Sequence, residues 1–266
     1  MRPFTPLRPA PDALLARANP LAKLGGAVIL MVALFVSIDP VTPMLTLLGL
    51  LAALPLTGLS PAVLAARTWP LLLAALAITV LNTLFAPRAG GEALWLGPIS
   101  LEPDAAVGAV GLGLRVLGVA LAGVLAVATT DPTDLADALQ QQLGVPARWA
   151  VGALAALRLL PVLAIERQTV ALARRARGVD AGGNPFVAVR LFASVLFGLL
   201  VSAIRHATRL AVAMEARGFG ALPCRTVARP QAFRLADVAL VAAALALALG
   251  AIGISVAAGS WRFLLG

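Results

Sequence analysis

The chain has 266 residues, of which 61% are hydrophobic and 12% charged, and a mean hydropathy of +0.96, whereas about a quarter of the residues in soluble globular domains are charged. A formal charge of +9 would fit a nucleic-acid ligand, but the basic residues do not interleave with stacking aromatics and tyrosine is absent, so nucleic acid is not an expected partner. With one cysteine, Cys224, and one histidine, His206, an intrachain disulfide is excluded and a Cys/His metal centre is not expected; the composition is that of a polytopic helical membrane protein.

A span needs roughly 20 mostly apolar residues to cross the ~30 Å hydrocarbon core. Residues 1–18 are too rich in proline and arginine for a cleaved signal peptide and read as an N-terminal extension. Residues 21–37, 43–57, 68–87 and 105–130 follow as spans, and residues 238–261 make a fifth. Lys23 reads as an interfacial anchor of the first span. Asn82 in the third suits a helix–helix hydrogen bond or a substrate contact, and Gly108, Gly111 and Gly113 in the fourth form a close-packing face for ordinary helix packing or for docking of a partner membrane subunit. Arg115 lies near the middle of the fourth span, where an arginine is costly unless paired or snorkelling. No acid lies within a helical turn of it, so its partner must come from another helix, another subunit or backbone carbonyls.

Lysine and arginine concentrate in short cytoplasmic loops. Arg2, Arg8, Arg17 and Lys23 stand against Asp12 at the N-terminus, whereas the loop after the third span carries Arg88 against Glu92, Glu102 and Asp104. The N-terminus is therefore expected on the cytoplasmic side of a cell membrane, with Asp39 outside, Arg67 inside, the acidic loop outside and the chain after Thr130 inside again. Residues 132–234 hold thirteen arginines against five acids (Asp134, Asp137, Glu166, Asp180 and Glu215), a net of +8. Residues 131–234 thus read as a cytoplasmic-facing module set between the spans of 19–130 and the last helix and tail, 235–266. Its apolar stretches, 149–165 and 191–204, are short and run into basic sequence, which fits interfacial helices returning to the same face.

The module opens with Thr130 or Asp131 as a helix cap and Pro132 at the first helical position. Leu135, Leu139 and Leu143 then alternate with Asp134, Asp137, Gln140 and Gln141 in an amphipathic pattern that stops at Gly144-Val145-Pro146. A long helix is expected over about 148–177, kinked at Pro161, and a second over about 185–217. Each is apolar first and basic later, and each ends in the same string: Ala176-Arg177-Gly178 and Ala216-Arg217-Gly218. The glycine permits a sharp left-handed turn that leaves the arginine at the helix tip. An arginine there keeps its charge at any cellular pH and can pair bidentately with a carboxylate. One Arg-Gly at a helix end is an ordinary C-terminal cap; two matching copies on a basic face point to docking.

The strings ALRLLPVLAIERQTVALARRARG (156–178) and LAVAMEARGFG (210–220) resemble the two coupling helices of the transmembrane T component of energy-coupling factor (ECF) transporters, a family that includes cobalt-transport permeases. NPLAKL (19–24), LRVLG (114–118) and TTDPTDLADALQQQLGVP (129–146) extend the resemblance over most of residues 19–220. It implies a non-catalytic subunit that joins two cytoplasmic ABC-type ATPases, which bind the ATP and Mg, to one small membrane subunit that selects a vitamin or transition-metal ion. It implies ATPase docking through Ala176, Arg177, Gly178, Ala216, Arg217 and Gly218. Arg174, Arg205, Arg209 and Glu215 are possible additions to that interface. Arg175, Arg225, Arg229 and Arg234 read as positive-inside anchors, a reading that Arg174 shares, and Arg205 and Arg209 could instead face lipid phosphates.

No G-x-x-x-x-G-K-[ST] phosphate loop occurs, so nucleotide binding by this chain is not expected. A membrane-embedded enzyme acting on lipid or isoprenoid substrates would need clustered acids; Asp131, Asp134 and Asp137 are the one such cluster. A self-sufficient secondary transporter would need charged or broken helices in matching halves, and Arg115 alone qualifies.

Overall fold

The computed structural model describes residues 13–58, 61–85, 94–96, 99–101, 103–179, 182–220 and 229–259. Arg2, Arg8, Asp12, Arg88, Glu92, Glu102, Asp180, Cys224 and Arg225 lie outside the described residues. The helices are α1 (Leu14–Arg17), α2 (Pro20–Val36), α3 (Val41–Thr57), α4 (Pro61–Phe85), α5 (Pro103–Ala128), α6 (Pro132–Gln142), α7 (Ala147–Ala176), α8 (Pro185–Ala216) and α9 (Leu235–Ala257). Between α4 and α5 a short antiparallel hairpin, β1 (Leu94–Leu96) and β2 (Ile99–Leu101), pairs Trp95 with Ser100. Among the described residues the fold is all-α apart from this hairpin.

Three helices start on one local device, an Asx residue followed by proline. The Asn19 side chain accepts from the Leu21 amide at 2.9 Å, Asp131 from Thr133 at 2.7 Å and Asn184 from Phe186 at 3.0 Å, each with proline at the first helical position. The side-chain oxygen satisfies one amide that the helix leaves orphaned, and proline has none to lose.

Among the described residues five helices are long and apolar enough to cross a membrane: Thr68–Phe85 within α4, Ala106–Ala128 within α5, α7, α8 and α9. The expected spans at 21–37 and 43–57 are the 17-residue α2 and α3, about 25 Å long at ~1.5 Å per residue. By length and composition, α7 and α8 qualify as spans as well as α9 does.

The chain divides into two compact units, Met1–Leu135 with Gln231–Gly266, and Ala136–Pro230. In the first, α5 packs against α2, α3 and α4, and α9 packs against α2 and α3. Leu30, Ala33, Leu50, Leu64, Leu121, Ala122, Leu125 and Ala248 form its core. Glycines bring α5 close: a Cβ at Gly111 would meet the Pro40 backbone at 3.1 Å, and one at Gly118 would meet Leu34 at 3.0 Å. Gly113 plays the same part toward Thr79 of α4, whereas a Cβ at Gly108 would meet nothing of this chain within 4 Å.

Antiparallel α2 and α5 cap each other. Lys23, buried near the start of α2, donates to the Thr129 carbonyl at the end of α5 over 2.7 Å. Arg115, halfway along α5, donates to the Ser37 carbonyl at the end of α2. The two contacts are fourteen residues apart on both helices, so one register satisfies both. Each cation sits on carbonyls that carry the negative end of a helix dipole. Lys23 is therefore an internal cap, not the interfacial anchor its position suggested. The partner that Arg115 required is a carbonyl of another helix, with Asp39 near enough to act on it electrostatically.

The turn between α2 and α3 is buried with them. Asp39 Oδ2 accepts from the Thr42 amide (2.6 Å), the Thr42 hydroxyl (2.9 Å) and Ser255 Oγ of α9 (2.6 Å). At the other end of α9, Asp237 accepts from the amides of Arg234 (2.7 Å) and Asn19 (2.6 Å), tying the starts of α9 and α2 together. Parallel α2 and α9 are thus stitched at both ends. Asn82 donates to the Ile78 carbonyl within its own helix, an intrahelical bond and not one to another helix of this chain.

Replacing Asp39 with alanine leaves the Thr42 and Ser255 donors without their buried acceptor. It is expected to cost roughly 3 kcal/mol, a fall of roughly 6–12 °C in the detergent melting temperature. Ser255→Ala, which removes one of the three bonds to Asp39 Oδ2, should cost about a third of that.

Candidate docking site: two arginine-tipped helices

The second unit is dominated by α7 and α8, which end in the same backbone geometry. At the end of α7, the Gly178 amide donates to Arg175 O at 2.9 Å and the Val179 amide to Arg174 O at 3.0 Å. At the end of α8, the Gly218 amide donates to Glu215 O at 2.9 Å and the Phe219 amide to Met214 O at 3.0 Å. Both are Schellman closures, in which a left-handed residue just past the helix satisfies its last carbonyls. Gly178 and Gly218 each have φ 75°, and the arginines before them match almost to the degree, Arg177 at φ −89°, ψ 7° and Arg217 at φ −90°, ψ 9°. Both arginines are exposed, and among the described residues neither guanidinium has a hydrogen-bond or ion-pair partner.

The helices run antiparallel, locked by polar contacts. Ser202 Oγ lies 2.7 and 2.9 Å from the two Glu166 carboxylate oxygens. Arg174 donates to Ser194 Oγ at 2.9 Å and to Leu191 O at 3.3 Å. Eight residues separate these contacts on each helix, 166 to 174 and 202 to 194. The antiparallel register sends the tips to opposite ends of the pair, up to about 40 Å apart at ~1.5 Å per residue.

Half-buried positions form a helical stripe on each partner: Leu159, Leu163, Glu166, Val170 and Arg174 on α7, and Leu191, Val195, Leu199, Ser202 and His206 on α8. The remaining faces stay apolar and exposed, including Leu160, Ile165 and Leu172 on α7 and Phe192, Phe197 and Leu200 on α8. Exposed apolar faces of this extent belong in lipid or under a partner. α7 runs through Pro161 as one element.

The expected site residues now separate. Ala176, Arg177, Gly178, Ala216, Arg217 and Gly218 form the two tips, and Arg205, Arg209 and Glu215 are exposed on α8. Arg174 is turned inward onto α8, so it holds the helix pair instead of presenting itself beside Arg177. His206 lies on the inner stripe with Nδ1 2.9 Å from Ser202 O, and no His/Cys/Asp/Glu cluster able to hold a metal occurs among the described residues. Asp131 caps α6 and Asp134 accepts from Gln231, so two of the three clustered acids have structural partners. Glu166 and Ser202 were missed as interacting residues. Their signal was positional, a lone acid and a serine on the inward stripes of otherwise apolar or basic helices.

A polytopic all-helical protein that presents two identically closed, unpartnered arginine tips has the build of a membrane component of a larger transport assembly. The profile of the cobalt transport protein family CbiQ matches residues 12–226. The chain is 30% identical over 235 residues to the energy-coupling factor transporter transmembrane protein EcfT of Limosilactobacillus fermentum, covering 85% of this chain and 87% of that protein. It is 28% identical over 243 residues to EcfT of Lactococcus lactis, covering 86% and 89%. A putative ABC transporter ATP-binding protein of Bifidobacterium longum is 27% identical over 209 residues, 76% of this chain but 27% of that protein. The chain belongs to the CbiQ family, as a transmembrane component of an energy-coupling factor transporter.

Because φ 75° is strained for any residue with a Cβ, Gly178→Val or Gly218→Val should cost about 1–2 kcal/mol, read as a lower melting temperature. Asparagine, which tolerates this region, should recover much of the loss at either position.

Proposed function

We propose that this chain is the non-catalytic scaffold and coupling subunit of an ECF-type ABC importer. Two cytoplasmic ATPase subunits bind ATP and Mg, this chain receives them on Arg177 and Arg217, and a separate small membrane subunit binds the transported vitamin or transition-metal ion. The observation that carries the reading is the pair of exposed arginine tips with matched backbone geometry, since a dimer of like ATPases offers two like grooves. The Bifidobacterium ATP-binding protein supports it, because a region similar to this chain makes up part of a protein named for ATP binding. The net charge of +8 over residues 132–234 favours a cytoplasmic position for the tips and an N-terminus on the same side.

A guanidinium docked in an ATPase groove is a strong handle, since its carboxylate or carbonyl partners hold it in two directions. Closure of the ATPase dimer on ATP draws the grooves together and carries the tips with them. The exposed apolar faces of α7 and α8 supply the surface on which the substrate-binding subunit rides, so movement of the tips reorients that subunit in the bilayer.

Charge reversal tests the tips. Arg177→Glu or Arg217→Glu should each weaken ATPase capture by roughly 30-fold, a hot-spot loss of about 2 kcal/mol. The double variant should insert normally and purify without the ATPases. Co-purification of both ATPases with the double variant at wild-type yield would overturn the docking role.

A further inference from the structure

Two helices that touch mainly through apolar side chains have little to fix their register, because such surfaces slide and rotate against each other at low cost. Polar contacts between apolar helices are directional and specify one arrangement. Here there are two. The Glu166 carboxylate receives the Ser202 hydroxyl in a charge-assisted bond, and Arg174 forks onto Ser194 Oγ and Leu191 O. His206, one turn beyond Ser202, has Nδ1 on the Ser202 carbonyl and flanks the first contact.

The placement of these contacts is asymmetric. Arg174 is three residues from the Arg177 tip, whereas Ser202 is fifteen residues, about 22 Å, from the Arg217 tip. A rotation about the locked region therefore moves Arg217 through a longer arc than Arg177. Building on the coupling role proposed above, we propose that Glu166–Ser202 and Arg174–Ser194 form the pivot of α7 and α8, with Glu166 and Ser202 as positioning residues that convert displacement of the tips into one concerted motion of the helix pair. Neither residue belongs to the docking tips, so the pivot and ATPase binding are separable.

The test uses the complete complex with its ATPases in proteoliposomes, in a Cys224→Ser background with spin labels introduced by Leu172→Cys and Val212→Cys, both at exposed positions. Pulsed electron–electron resonance reads the distance between them before and after the ATPase dimer is trapped with ATP, Mg and vanadate. The unsubstituted pivot should give a narrow distribution that shifts on trapping. Glu166→Ala and Ser202→Ala should each broaden the distribution and abolish the shift while the ATPases still co-purify in full, and the double variant should be no worse than either single. Ser202→Thr, which keeps the hydroxyl, and Glu166→Gln, which keeps an acceptor, should restore the shift. A shift unchanged in both alanine variants overturns the pivot, as does a broadening that Ser202→Thr does not repair, since that marks a general loss of packing. ATPases missing from the complex of the unsubstituted chain would instead overturn the coupling role.

Discussion

The membrane unit depends on the reciprocal capping of α2 and α5. A buried lysine and a half-buried arginine among apolar helices would each be expensive alone, but each lands on the carbonyl end of the other helix, where partial negative charge and unsatisfied acceptors are concentrated. Because the two contacts are fourteen residues apart on both strands of the pair, they specify one antiparallel register, and Gly111 and Gly118 allow the close approach that this register needs. The buried turn at Asp39 and the clamps of α9 at Asp237 and Ser255 then build on a pair already held in place.

The second unit solves a different problem. Its helices leave large apolar faces exposed, yet each ends on an exposed cation held in one backbone geometry. The Schellman closures do this locally: glycine at φ 75° turns the chain away, and the arginine before it is left at the end of a rigid rod. The antiparallel pairing then sets the tips at opposite ends, a geometry suited to two grooves of one ATPase dimer in the proposed coupling role. Rigid rods crossing at a polar lock suit the transmission of force better than loops do, because little of an imposed displacement is lost in bending.

Local features of this fold were legible from the sequence. The start at Asp131-Pro132, the ends at Gly178 and Gly218 and the bounds of α6, α7 and α8 follow from caps and breakers that act within four residues, whereas the Asn19 and Asn184 caps were not picked out. Pairwise features were not. Lys23 resembled an anchor because lysine near a span end usually is one, and its acceptor lies 106 residues away. Arg174 was open to the same reading as its neighbour Arg175, since only the position of α8 distinguishes the inward arginine from the outward one. The hairpin at Leu94–Leu101 was hidden in a loop read for its charge.

The sequence by itself determined the membrane class, the helical content, the matched arginine tips and the family, because composition, capping chemistry and repeated strings are properties of neighbouring residues. The tertiary structure decided which polar residues meet: Arg115 with the end of α2, Asp39 with α9, and Glu166 with Ser202. Those pairings depend on helix register and rotation, which are set by the packing of whole faces against one another and leave no mark in any short stretch of chain.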